Sequence, residues 1–241
     1  AVYYLSIGLC QGELNDSLKN IYFGFANEQG AQINANQYGG YEIKEPEKLK
    51  TAICPNGKVL NISFLEYRKE SPKTNGRQNS RNFDNCGGYY YKLVNGITED
   101  DASCMLVEPK FIKEWQVLSF ESKKILKPSK SNIDKIEQFK KLKIHDIQTL
   151  AKFGDDNYLY FTLFTTNSDH YLADVILIKD NLLYEDSPGN KVNFSEEYQC
   201  SFTNLGFSEY CQVLNILTNG KDILFLLFEH TEEGKHVTLV M

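Results

Sequence analysis

The stretch "LKTAICPNGKVLNISFLEY", Leu49 to Tyr67, decides the fold. Two apolar runs flank Pro55-Asn56-Gly57. Asn and Gly accept positive φ at little cost, so the triplet supplies a hairpin turn. Beyond it, Leu60, Ile62 and Phe64 point one way and Val59, Asn61, Ser63 and Leu65 the other. That is the period of a strand with one apolar and one mixed face.

The same grammar recurs along the chain. "YLYFTLFTT", from Tyr158, turns at "NSD" into "HYLADVILIK", and Asp180-Asn181 leads on to "LLYED". "QVLNILT" turns at Asn219-Gly220 into "DILFLLFEH", and "TEEG" leads to "HVTLVM", which makes the final run a sheet strand. Upstream, "AVYYLSIGL", "NIYFGFANE", a shorter "GGYEIK", "GGYYYKLV" and "KEWQVLSFES" also read as strands.

Residues 128–154, "PSKSNIDKIEQFKKLKIHDIQTLAKFG", depart from this pattern. Ser131 followed by Asp134 fits a helix start. Ile133, Ile136 and Phe139 or Leu142 recur at helical spacing, and Ile144, Ile147, Leu150 and Ala151 do so in a shifted phase. Two short helices or one bent helix would end at Gly154. The sequence therefore predicts an α+β fold, predominantly antiparallel β, with hairpins, meanders and a short helical segment near 131–153. It divides into an N-terminal β-rich lobe, 1–127, and a helical segment plus C-terminal meander, 128–241, as two units or one. No internal repeat is evident.

Composition narrows the function. The chain has 241 residues, 41% hydrophobic and 24% charged, enough to bury a core unaided. A net charge of −6 argues against a nucleic-acid binder. No apolar run reaches the ~18 residues of a membrane span. A start at Ala1 rather than Met fits removal of a signal peptide.

The cysteines are Cys10, Cys54, Cys86, Cys104, Cys200 and Cys211. None forms a CxxC or CxxH pair, so structural zinc is not expected. They are either buried thiols or disulfides of an exported protein. Several sit beside turn residues, which favours disulfides. Cys200–Cys211 would close a short loop, Cys54–Cys86 would tether a polar loop, and Cys10–Cys104 remains by elimination. Three Asn-x-Ser sequons, at Asn15, Asn61 and Asn193, point the same way.

Two readings of chemistry compete. In "DNCGG", Asp84 to Gly88, a thiol follows an acid and precedes two glycines. A hydrolase would use Cys86 as nucleophile, but the text that follows reads as strand and offers no helix start to stabilise a thiolate. Elsewhere no phosphate loop, metal-ligand spacing or cofactor motif occurs. His170 and Asp174 would lie ~13 Å apart on one strand face, too far to share an ion.

Arginine is the sharper signal. All three arginines, Arg68, Arg77 and Arg81, fall in the polar stretch 68–85 together with Lys73, just before Tyr89, Tyr90 and Tyr91. Guanidinium groups fork onto carboxylate or phosphate and stack on aromatic rings. The expected protein is thus a non-enzymatic, secreted or periplasmic, disulfide-braced binding module. Those residues would meet another protein or an anionic ligand, as in an inhibitor or toxin-neutralising protein. The alternatives are the Cys86 hydrolase and a structural envelope or adhesion domain.

Overall fold

A computed structural model describes residues 7–8, 20–35, 42–121, 126–167, 170–180, 182–185, 190–193, 211–231 and 234–240. After a short first strand, β1 (Ile7–Gly8), six strands close into an antiparallel barrel: β2 (Tyr22–Ala26), β3 (Gln32–Ala35), β4 (Thr51–Cys54), β5 (Lys58–Arg68), β6 (Gly88–Leu93) and β7 (Ser103–Val107). Their order around the barrel is β2-β3-β6-β5-β4-β7, so no edge is left to template another chain. Alternation fixes which side chains fill it. Ala26, Ile33, Ala52, Leu60, Tyr91 and Leu106, one from each strand, share a single buried cluster, the barrel interior. Their neighbours Phe25, Ile53, Tyr90 and Met105 belong to a different cluster on the outer wall.

The β4–β5 hairpin turns where the Pro-Asn-Gly triplet predicts, with Asn56 at φ 61° and Gly57 at φ 75°. "GGYEIK" differs from expectation: its described residues, Glu42–Lys44, form no strand. Ile43 instead joins the barrel interior, and the Tyr91 hydroxyl donates to the Pro46 carbonyl at 3.1 Å.

Helix α1 (Pro109–Glu114) follows the barrel, at a place where the sequence pattern predicts no helix. Pro109 sits at its first position, where a missing N–H costs nothing. Phe111 and the single Trp115 stack at 6.0 Å and pack on the outer wall. The chain then passes through β8 (Gln116–Leu118), β9 (Phe120–Glu121), helix α2 (Lys130–Lys140), β10 (Lys143–Phe153), β11 (Asn157–Asn167), β12 (His170–Lys179), β13 (Leu182–Glu185), β14 (Asn190–Asn193), β15 (Cys211–Thr218), β16 (Ile223–Thr231) and β17 (Gly234–Val240).

Two open sheets result. One runs β1-β17-β16-β15-β8, with β1 parallel to β17. The other runs β13-β12-β11-β10-β9, with β14 also pairing β12. The first sheet is sandwiched. Leu217, Leu224 and Leu226 face the barrel's outer wall, and Val213, Ile216, Phe225 and Leu227 meet Leu150, Phe153 and Leu159 of the second sheet. On that sheet's far side Tyr160, Phe164 and Ile176 receive Ile136 of α2. The layers are therefore barrel, sheet, sheet, helix.

The predominantly antiparallel β architecture is as the sequence predicts, but the helix is shorter. Residues 143–153 form β10, paired with β11 from Lys143↔Thr165 to Phe153↔Asn157. The helix stops because Lys141 turns left-handed, at φ 55°. Gly154, expected as a helix stop, spends its φ of 58° in the β10–β11 turn. The N-cap is Ser129, whose Oγ accepts from the Asn132 amide at 3.1 Å, and not Ser131.

One disulfide occurs among the described residues, Cys54–Cys104. This corrects both Cys54–Cys86 and Cys10–Cys104. Ala52↔Leu106 and Ile53↔Met105 set the β4–β7 register, so Cys54 and Cys104 face each other inside the barrel with Cα atoms 4.2 Å apart. Cys86 is a free, buried thiol packed on the outer wall, and the wall itself lies between it and Cys54. Cys10 and Cys200 lie outside the described residues, and Cys211 begins β15.

Candidate functional site

The polar stretch between β5 and β6 folds back on the barrel. Its one aromatic residue, Phe83, inserts edge-on against Phe25 (5.6 Å) and Tyr90 (5.2 Å) on the outer wall. The two ends of the loop close on each other, with the Ser71 amide donating to the Asn85 carbonyl at 3.0 Å. A Cβ on Gly87 would come within 2.9 Å of the Glu70 backbone nitrogen, so the first of the two glycines permits that closure.

The loop has a polar core of its own. Asn82 is buried; its Nδ2 donates to the Arg77 carbonyl at 2.8 Å and to Thr74 Oγ1 at 3.1 Å. Asn79 Oδ1 accepts from the Asn82 amide at 3.1 Å and starts a 310 turn, Ser80–Asn85. The Ser80 amide donates to Asp101 Oδ1 at 3.0 Å, tying the loop to the far side of the β6–β7 connection. The Tyr90 hydroxyl lies 2.7 Å from both the Phe83 and Cys86 carbonyls. This is a folded Ω-type loop, its conformation specified by its own side chains. Composition alone marks it as polar. Phe83 and the Asn79-to-Asn82 spacing were the legible signs of its order.

The predicted binding residues divide between its two sides. Lys73, Arg77 and Arg81 are exposed on the loop's outer side. Arg68 is engaged within the molecule: its guanidinium lies 4.1 Å above the Tyr90 ring and pairs with Glu66 at 2.8 Å. Tyr89, Tyr90 and Tyr91 are all buried, which corrects their expected place on a contact edge. Tyr89 and Tyr91 pack with the barrel interior and Tyr90 beneath the loop. The tyrosine at the surface here is Tyr67, 54% exposed, its ring tilted against that of Tyr89 with centroids 5.0 Å apart.

Cys86 is 3% exposed, and burial, reinforced by the charge of Glu70, pushes its thiol up to about 11. Its sulfur meets the Asn82 amide at 3.4 Å and the Arg77 carbonyl at 3.5 Å. Burial and the raised pKa both disfavour the thiolate that a nucleophile needs at neutral pH. Asp174 is paired with Lys140 at 2.6 Å beneath α2. Among the described residues no group of three or more His, Cys, Asp or Glu is arranged to hold a metal ion. No described helix is long and apolar enough to cross a membrane. No protein-family model, curated protein or solved structure matches the chain.

Proposed function

We propose that the chain is a non-enzymatic, exported binding module whose loop 69–85 recognises an acidic surface on another protein, in the manner of an inhibitor or toxin-neutralising protein. The observation that carries this reading is the division of the loop into an anchored inner side and an outer side bearing Lys73, Arg77 and Arg81. A loop that already holds its shape loses little entropy on binding, so its charges work at small ordering cost. Their sign opposes that of the molecule, net −6, so attraction to an acidic partner is local to the loop. Export is supported by the Cys54–Cys104 bond, since disulfides persist in oxidising compartments.

The test is surface plasmon resonance of the full chain over immobilised polyglutamate at low salt. Salt-sensitive binding is expected, abolished by Arg77→Ala with Arg81→Ala and retained by Lys50→Ala outside the loop. Equal binding by wild type and the double variant overturns the assignment.

A further inference from the structure

Of the three sequons, one is laid out in full on a described surface. Asn61 and Ser63 are both exposed on β5, with Ile62 between them buried in the barrel interior. In an extended strand, residues two apart share a face, so the Ser63 hydroxyl lies beside the Asn61 amide. The Asn61 side chain makes no hydrogen bond among the described residues, while its backbone is fully used. Its N–H donates to Asn95 Oδ1 at 2.7 Å and its carbonyl accepts from the Val94 amide at 2.9 Å. Asn15 lies outside the described residues, and Asn193 ends β14 with its Ser195 beyond them.

A second, independent observation concerns the neighbours. Most large apolar side chains among the described residues are covered, yet Val59 is 40% and Val94 60% exposed. Val59 is two residues from Asn61 on the same strand face, and Val94 is its hydrogen-bonded neighbour. Ile97, 58% exposed, follows in the same loop, where a Cβ on Gly96 would touch Leu60. An apolar patch centred on an unengaged, sequon-bearing asparagine calls for a cover attached at that asparagine.

We infer that Asn61 is an N-glycan acceptor whose first sugars lie over Val59 and Val94. The donor is a lipid-pyrophosphate-linked oligosaccharide. Asn61 Nδ2 bonds to the anomeric carbon of the first sugar, the bond from that carbon to phosphate breaks, and lipid pyrophosphate leaves. One amide proton passes to a base of the transferase, and nothing is oxidised or reduced. The inference rests on the export reading, because the transferase works in the same compartments that form disulfides.

The experiment is peptide mapping of the protein isolated from the organism that makes it, before and after peptide:N-glycosidase in heavy-oxygen water. The expected result is a glycan on the Asn61 peptide that the enzyme removes, leaving labelled Asp. Bare Asn61 with Cys54–Cys104 intact overturns the glycan and spares the export reading; bare Asn61 with reduced Cys54 overturns both. In a secretory host, Asn61→Gln and Ser63→Ala should lose the glycan and gain binding of an apolar dye, whereas Ser63→Thr should change neither. Unaltered dye binding in the first two variants overturns the placement over Val59 and Val94.

Discussion

At Cys86 and Tyr90 the outer wall of the barrel and the underside of the loop share their polar contacts, and both residues make measurable predictions. The Cys86 thiol is raised from 9.0 to about 11 in the folded protein by burial. Between those values the unfolded chain releases a proton that the folded chain keeps. Stability from this group is therefore complete below pH 9 and falls as pH rises toward 11. Urea midpoints measured across that window should decline more steeply for wild type than for Cys86→Ala; equal slopes would refute the placement. Iodoacetamide should likewise leave native Cys86 unmodified at pH 8 and alkylate it rapidly once urea unfolds the chain. Tyr90→Phe removes the donor shared by the Phe83 and Cys86 carbonyls. The loss of this buried bond should cost about 1–3 kcal/mol in chemical denaturation. The tyrosine run departs from the sequence expectation for a physical reason. Alternation predicts that one side of a strand meets water, but in β6 the barrel interior covers one side and Phe83 with Arg68 covers the other.

Among the elements, hairpins were legible because their turns carry local chemistry, as at Asn56-Gly57 and Asn219-Gly220. Strand β10 was not. Ile144, Ile147, Leu150 and Ala151 fall at helical spacing, and only the long pairing with β11, through bulges at Ile144/Asp146 and Thr149/Ala151, makes the segment a strand. Bulges shift the phase of alternation, so a bulged strand can imitate a helix in sequence. Helix α2 offers its own test. Lys140 and Asp174 are paired at 2.6 Å, with the Asp174 side chain 1% exposed. Asp174→Asn should destabilise the protein by about 1–3 kcal/mol, because it removes the buried carboxylate that Lys140 meets at 2.6 Å. Lys140→Met combined with Asp174→Leu should recover most of that loss. A small effect of the single variant would show that the pair does not anchor α2. At the helix end, Lys141→Gly should raise stability by about 1 kcal/mol, since glycine takes the left-handed conformation without a Cβ penalty.

For the whole molecule, the Cys54–Cys104 bond fastens β4 to β7 from inside, with neither sulfur reachable by solvent. Reductant should leave the folded protein intact and act only as denaturant opens the barrel. The Cys54→Ala, Cys104→Ala pair should lower stability by about 2–4 kcal/mol. Bond reduction at native stability would contradict a closed barrel. The pairing itself was beyond sequence, because it depends on register between strands separated by 50 residues. The candidate site was legible in its charge and illegible in its shape. Arginine placement marks the loop, and Phe83 with the Asn79-to-Asn82 spacing hints at its order; the tie to Asp101, 21 residues from Ser80, depends on the fold and has no local signature.

The sandwiched sheet has a consequence for how the chain comes off the ribosome. Every barrel strand has been made by Val107, yet the leucines that share a buried cluster with Ile53, Met105 and Trp115 belong to residues 217–226. Synthesis runs from the N-terminus, so a nascent barrel must wait with that greasy flank bare. A chaperone that grips aromatic surface should therefore bind stalled chains ending near residue 125 and release them once β15 and β16 have emerged.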